Sequence, residues 1–157
     1  ESTVIDCSLP TPIILRPGGV TRAAIEQVIG AVEVAGSLEK NEPPRSPGMK
    51  YKHYAPETEV WLVRDPEKII ELADQLKSEG QKVGFLVSNE LATEHELDEL
   101  FQLGSRDHLE EVSQNLYRRL REIDTRDVDI VLAESFSTEG IGEALMNRLE
   151  RAATEIK

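Results

Sequence analysis

Across residues 58–157 the apolar positions follow an alternating rhythm. Short β-branched runs give way to longer stretches in which apolar residues return every three or four places. Val60-Trp61-Leu62-Val63 reads as a strand. Asp65 and Pro66 then supply an N-cap and a first helical residue, and Ile69, Leu72, Ala73 and Leu76 make the buried stripe of a helix that Gly80 ends. Residues 83–87 predict a second strand, 96–100 a helical turn and 100–103 a short strand. Residues 109–123 predict a long amphipathic helix with Val112, Leu116 and Leu120 facing inward. A strand at 128–133 and a last helix at 142–156, with Leu145, Leu149 and Ala153 in register, complete the series. Strands alternating with helices imply right-handed crossovers and a mainly parallel sheet covered on both faces. The expected fold is a small three-layer, Rossmann-like α/β domain.

The first 36 residues have a different texture. STVIDC at 2–7 and IIL at 13–15 read as short strands separated by the turn material Ser8-Leu9-Pro10-Thr11-Pro12. Arg16-Pro17-Gly18-Gly19 breaks the chain, and Thr21 can N-cap a short helix with Ile25, Val28 and Ile29 on its apolar face and Gly30 past its end. These pieces cannot enclose a core by themselves, so residues 1–36 read as the end of something larger and are expected to need a neighbour. Residues 37–57 hold four prolines and no apolar periodicity, which predicts a linker. The expected organisation is therefore 1–36, a linker at 37–57, and a complete domain at 58–157.

Charge sharpens this division. The net charge is −12, yet residues 1–56 carry six acids and six bases, so the whole excess lies in 57–157. A surface of that sign repels phosphate backbones, and no direct nucleic-acid binding is expected there. No apolar run is long enough to span a bilayer. Cys7 is the only cysteine, which excludes an internal disulfide and suits a reducing cytoplasm.

Against that acidic background, SPGMKYKHYAP at 46–56 gathers lysine, tyrosine and histidine between prolines. In extended backbone Lys50, Lys52 and Tyr54 point one way, and Tyr51 and His53 the other. Mobile positive charge beside flat, hydrogen-bonding rings suits an anionic aromatic ligand such as a nucleotide. A spacer whose bases pair with acidic domain surfaces would carry the same residues. Arg16, where a predicted strand ends, has the fork geometry to bind phosphate bidentately, although surface arginines are common. Ser2 and Thr3 could hydrogen-bond a small polar substrate, or serve only the strand. Glu139-Gly140-Ile141-Gly142 follows a strand and opens a helix, a place where α/β folds bind phosphates. The dinucleotide fingerprint is incomplete and Glu134, Glu139 and Glu143 would repel an anion, which favours a tight turn. His53, His95, His108 and Cys7 show no metal-ligand spacing.

Three strings carry a resemblance. ESTVID followed by ILRPGGVT resembles the closing part of the YrdC catalytic domain. SPGMKYKHYAP resembles the linker of the long-form Sua5/YwlC threonylcarbamoyl-adenylate synthases, and GIGEALMNRLERAA is similar to the end of their small Sua5 domain. The likeness covers essentially the whole chain. It implies a nucleotidyl-transfer reaction in which L-threonine, bicarbonate and ATP, with Mg2+, give threonylcarbamoyl-adenylate and pyrophosphate. The product would pass to a separate complex that modifies tRNA.

Carried onto matching positions, the resemblance implies that Ser2 contacts L-threonine and Arg16 the ATP phosphates. Tyr54 would close over the nucleotide, with Lys50, Tyr51, Lys52 and His53 in the same lid. Residues 1–36 would then be a remnant of the YrdC domain and 58–157 the Sua5 domain. The family's Lys/Arg-rich nucleotide site does not precede Glu1, so the chain is expected to be a C-terminal portion that is inactive alone. The competing expectation is a non-catalytic accessory or regulatory module for ligand or protein binding. A depression with convergent donors at the strand C-termini would favour a ligand site, and an apolar patch a protein contact.

Overall fold

A computed structural model describes residues 2–35 and 55–157 of the chain. Lys50, Tyr51, Lys52, His53 and Tyr54 lie outside the described residues. Those described group into two units, one of 2–35 with 137–147 and one of 55–136 with 148–157.

The second unit is built on four parallel strands: β4 (Glu59–Val63), β5 (Val83–Leu86), β6 (Ile130–Glu134) and β7 (Glu155–Ile156). Their order is β5-β6-β4-β7, with Phe85 opposite Leu132, Val60 opposite Val131 and Trp61 opposite Glu155. All five residues of β6 are buried. A central parallel strand needs apolar residues on both faces, which is why IVLA reads as an unbroken run.

Helices cover the sheet as the patterning predicts. Asp65 caps a 3-10 turn (Pro66–Lys68) by accepting the Glu67 N–H, and α2 (Ile69–Ser78) follows with Ile69, Ala73 and Leu76 buried. Gly80 takes a φ of +88° just past its end, a conformation that suits glycine. Together with Leu91 and Ala92 of α3 (Asn89–His95), the α2 stripe packs against Val63, Phe85, Ile130 and Leu132. The alternate positions Leu62, Leu86, Val131 and Ala133 point to the opposite face and are equally buried. The return from the far side of β5 to β6 reverses the direction of travel, so a right-handed crossover puts α4 (Leu109–Ile123) on that face. Val112, Leu116, Leu120 and Ile123 are its buried positions. The α/β architecture with a parallel sheet is the expected one.

Four boundaries differ from the expectation. The helical turn predicted at 96–100 is displaced: the helix is α3, and Glu96 and Glu99 take φ of +48° and +46°, which a continuing helix does not permit. Residues 100–103 do run beside β5, with the Phe101 N–H bonded to Phe85 O at 2.8 Å and the Leu103 N–H to Val87 O at 2.9 Å. Only the Phe85–Leu100 pair forms a bridge, so this is a lightly paired edge rather than a full strand. The last helix, α5 (Gly142–Ala152), is shorter than predicted. The open edge of β4 captures the residues beyond α5, through the Thr154 N–H to Val60 O at 2.7 Å, and makes β7. The strand predicted at 128–133 begins two residues later because Asp129 turns to bond Lys82 O through its N–H at 2.8 Å.

In the first unit β1 (Val4–Asp6) pairs antiparallel with β2 (Ile13–Arg16), and β2 pairs parallel with β3 (Glu33–Val34). Thr21 caps α1 (Arg22–Ile29) by accepting the Ala24 N–H at 3.2 Å. Ile14 and Val32 are buried, but α1 buries nothing: Val28 is 83% exposed and Ile29 49%.

Candidate functional site

Arg16 ends β2 immediately before Pro17, whose missing N–H stops the ladder. The antiparallel register sets Val4 opposite Arg16, which carries Ser2, two residues earlier, past the end of β2. The guanidinium folds onto it. Arg16 Nη2 donates to the Ser2 hydroxyl at 3.0 Å and to the Ser2 carbonyl at 3.1 Å, and Nε donates to the same carbonyl at 3.2 Å. Two residues to which the resemblance gives separate roles are thus in direct contact. The Ser2 hydroxyl accepts from arginine and keeps its own proton to donate.

A shallow groove in the same unit is lined by Thr3, Ile14, Gly18, Thr21, Arg22 and Glu143, among others. Three of its polar side chains are already engaged: Thr3 donates to Val20 O at 2.6 Å, Thr21 accepts the Ala24 N–H at 3.2 Å, and Arg22 donates to Glu26 Oε1 at 2.8 Å and Val32 O at 2.9 Å. Glu139–Gly142 is a tight turn, as expected, with the Gly142 N–H on Glu139 O at 2.9 Å and a φ of +57° at Gly140.

The second unit gathers polar groups at the carboxyl ends of β5 and β6. Glu134 is the last residue of β6 and is 1% exposed, while Ser88, just past β5, is fully buried. The Glu134 carboxylate accepts the Ser88 backbone N–H at 2.7 Å and pairs with Arg106 Nη2 at 3.0 Å. Arg106 also donates to the Ser88 hydroxyl at 3.3 Å, and that oxygen accepts the Leu91 N–H at 3.2 Å as the cap of α3. Glu90 fixes the loop that delivers the arginine, accepting the Ser105 hydroxyl and the Arg106 N–H, the latter at 3.0 Å. The Ser105 hydrogen bond, then that of the Arg106 N–H, holds the Glu90 carboxyl at about 2, well below the usual carboxylate range.

Among the described residues no group of three or more His, Cys, Asp or Glu side chains could hold a metal ion. No helix among them is long and apolar enough to cross a membrane.

Residues 20–154 match the family described as threonylcarbamoyl-AMP synthase, C-terminal domain. The chain belongs to that family. The threonylcarbamoyl-AMP synthase of Bacillus subtilis is 44% identical over 155 residues, and that of Pyrococcus abyssi 42% identical over 160. Each alignment takes in 98% of this chain and 45% of the relative, so the chain spans less than half the length of the curated proteins it matches. In structure it is similar to the crystal structure of P. abyssi Sua5 complexed with L-threonine. The TM-score is 0.86 at 40% identity, over 100% of this chain and 47% of that one. It also resembles the isolated C-terminal Sua5 domain of Pyrococcus horikoshii, with a TM-score of 0.51 at 39% identity over 65% of this chain and 97% of that one. The Sua5-type α/β domain is therefore a shared property of this chain and its relatives.

Of the residues singled out from the sequence, Ser2 and Arg16 are brought together and the five of the basic segment lie outside the described residues. The Ser88–Arg106–Glu134 constellation is not legible from the sequence as a unit. Its one signal is a carboxylate closing the apolar run at 130–134.

Proposed function

We propose that the protein containing this chain makes threonylcarbamoyl-adenylate from L-threonine, bicarbonate and ATP, releasing pyrophosphate. In this reading residues 1–36 close the YrdC-type catalytic domain, 37–57 join the domains and 58–157 form the Sua5 domain. The threonine amine and bicarbonate form a carbamate with loss of water. A carbamate oxygen then attacks the α-phosphate of ATP, and pyrophosphate leaves. Magnesium enters with the nucleotide as MgATP and is part of the substrate. Nothing in this scheme needs a covalent enzyme intermediate, so the protein's work is positioning and neutralising charge.

The observation that carries the reading is the contact between Arg16 and Ser2. The carbamate oxygen must reach phosphorus, so the groups that hold threonine and those that hold the phosphates must adjoin. An arginine for phosphate bonded to a hydroxyl for threonine meets that demand within 3.0 Å. Its fork can pass from the Ser2 oxygens to phosphate oxygens, while the Ser2 hydroxyl donates to the amino acid. Tyr54, with Lys50, Tyr51, Lys52 and His53, is assigned to cover the nucleotide and keep water from the adenylate. The cytoplasm supplies the substrates, and a tRNA-modifying complex takes the product. This chain alone is expected to make no adenylate.

The experiment uses the longer protein. Arg16→Ala should weaken ATP binding by about 1–3 kcal/mol, the scale of charge-assisted contacts, while threonine affinity changes less. Loss of threonine binding with ATP binding intact would reverse the assignment.

A further inference from the structure

Parallel α/β sheets bind phosphates in the crevice outside the carboxyl ends of their strands, where backbone N–H groups and a cation converge on an oxyanion. The second unit has such a convergence between β5 and β6: the Ser88 N–H and the Arg106 guanidinium point at one position. That position is filled from within. One Glu134 oxygen takes the amide at 2.7 Å and the other takes the guanidinium at 3.0 Å.

We infer that Glu134 is the built-in occupant of the anion position at this sheet edge, so that the Sua5-type unit takes no phosphate-bearing ligand there. The inference goes beyond the reaction proposed above and does not depend on it. A carboxylate and a phosphate use the same donors, and the carboxylate is covalently held at the end of β6, so it needs no association from solution. An incoming phosphate would meet a like charge a few ångströms away. Driving Glu134 aside is equally unfavourable, because it is 1% exposed and an unpaired buried carboxylate carries a heavy desolvation cost. Turning the guanidinium outward to recruit a ligand would strip the buried Glu134 of its counter-charge. Glu90 accepts the Arg106 N–H, the Ser105 hydroxyl accepts the Asp107 N–H beside it, and the Ser88 hydroxyl holds the guanidinium tip. The convergence that looks like a nucleotide site is thus spent on joining β5, β6 and the 104–107 loop.

The test is anion rescue, followed in the 157-residue chain through the Ser88 amide resonance. In the native sequence neither inorganic phosphate nor formate should move that resonance in a saturable way. In Glu134→Ala the vacated donors should bind formate, with saturable movement of the Ser88 amide and a rise in Tm over an equal concentration of chloride. Adding Arg106→Ala to that variant should weaken formate binding roughly tenfold or more, since a charged donor is lost. If Glu134→Ala does not fold in chloride, refolding yield is read instead, and formate should restore it. Saturable phosphate binding at Ser88 in the native sequence would overturn the inference. So would a Glu134→Ala chain whose Ser88 amide, or refolding yield, is indifferent to formate.

Discussion

Asp124 and Thr58, 66 residues apart in sequence, are joined twice: one Asp124 oxygen accepts both the Thr58 N–H and the Thr58 hydroxyl at 3.0 Å. Its other oxygen accepts the Glu57 N–H at 3.1 Å. A single carboxylate at the end of α4 therefore fixes the backbone leading into β4. Burial opposes the charge on Asp124, but the bonds from Thr58 and Glu57 outweigh it and its carboxyl is held below the ordinary value.

Asp124→Ala should destabilise the second unit by about 1–3 kcal/mol at neutral pH, the scale of lost bonds to a charged acceptor. Because the folded-state value is lowered, the contribution is complete above the unfolded aspartate value, about 3.9. It is lost as the pH falls through the folded one. Denaturant unfolding of both proteins at pH 7 and in acid checks this: the gap should shrink in acid, and a constant gap would exclude the charged form as its source.

Glu90 titrates at about 2. Its hold on the Ser105 hydroxyl and the Arg106 N–H should be complete above the unfolded glutamate value, about 4.3, and should fade as the pH approaches about 2. The carboxyl carbon resonance of Glu90 reports the midpoint directly. Glu90→Gln should speed hydrogen exchange at the Arg106 amide at neutral pH, because the charge-assisted part of that bond is gone. A Glu90 midpoint near 4 would contradict the geometry.

Gly84 leaves no room for a side chain. A Cβ there would lie 2.9 Å from Phe101 Cε2, 3.3 Å from Val131 Cγ2 and 3.4 Å from Val128 Cγ1. Phe101 is fully buried and cannot withdraw to solvent. Gly84→Ala should cost about 1–3 kcal/mol by overpacking, despite alanine's better backbone behaviour. Thermal unfolding measures it, and an unchanged or raised Tm would show that Phe101 can shift.

Arg16→Lys should fail to rescue ATP binding in the longer protein. The guanidinium reaches two Ser2 oxygens through Nε and Nη2. An ammonium has no planar fork, so charge alone does not reproduce the arrangement. Titration of ATP against Arg16→Ala and Arg16→Lys distinguishes the cases; full recovery in the lysine variant would make Arg16 a simple point charge.

Local chemistry is the part of the fold most legible in the sequence. Thr21 and Asp65 both cap as their side chains predict, and the stripe Val112, Leu116, Leu120 sets the buried face of α4. The departures are decided by partners far away in the chain. Glu155 and Ile156 continue a helical pattern in sequence, yet they pair with Trp61 and Leu62 because β4 has a free edge. The helix at Asn89–His95 escapes the patterning because Ser88 caps it only two residues after β5 ends at Leu86. The site behaves alike. Arg16 and Ser2 can each be singled out by type, but their contact depends on the β1–β2 register, which includes a shift between Val4 and Ile5. Glu134 reads in sequence as a repellent charge, whereas Arg106 and the Ser88 amide neutralise it.

The strand order carries a consequence for how this unit is made. β4 is the first of its strands to be synthesised, yet its two neighbours, β6 and β7, are the last. The Val60 N–H finds its partner, the Thr154 hydroxyl, 94 residues further along. Pairings of that span carry a large loop-closure entropy and slow the search for the native topology. During vectorial synthesis Val60, Leu62 and Val63 must therefore wait, apolar and unpaired, until nearly the whole unit has appeared. The acidic residues that surround this stretch, Glu57, Glu59, Asp65 and Glu67, give the waiting strand a repulsive guard against premature association with other chains.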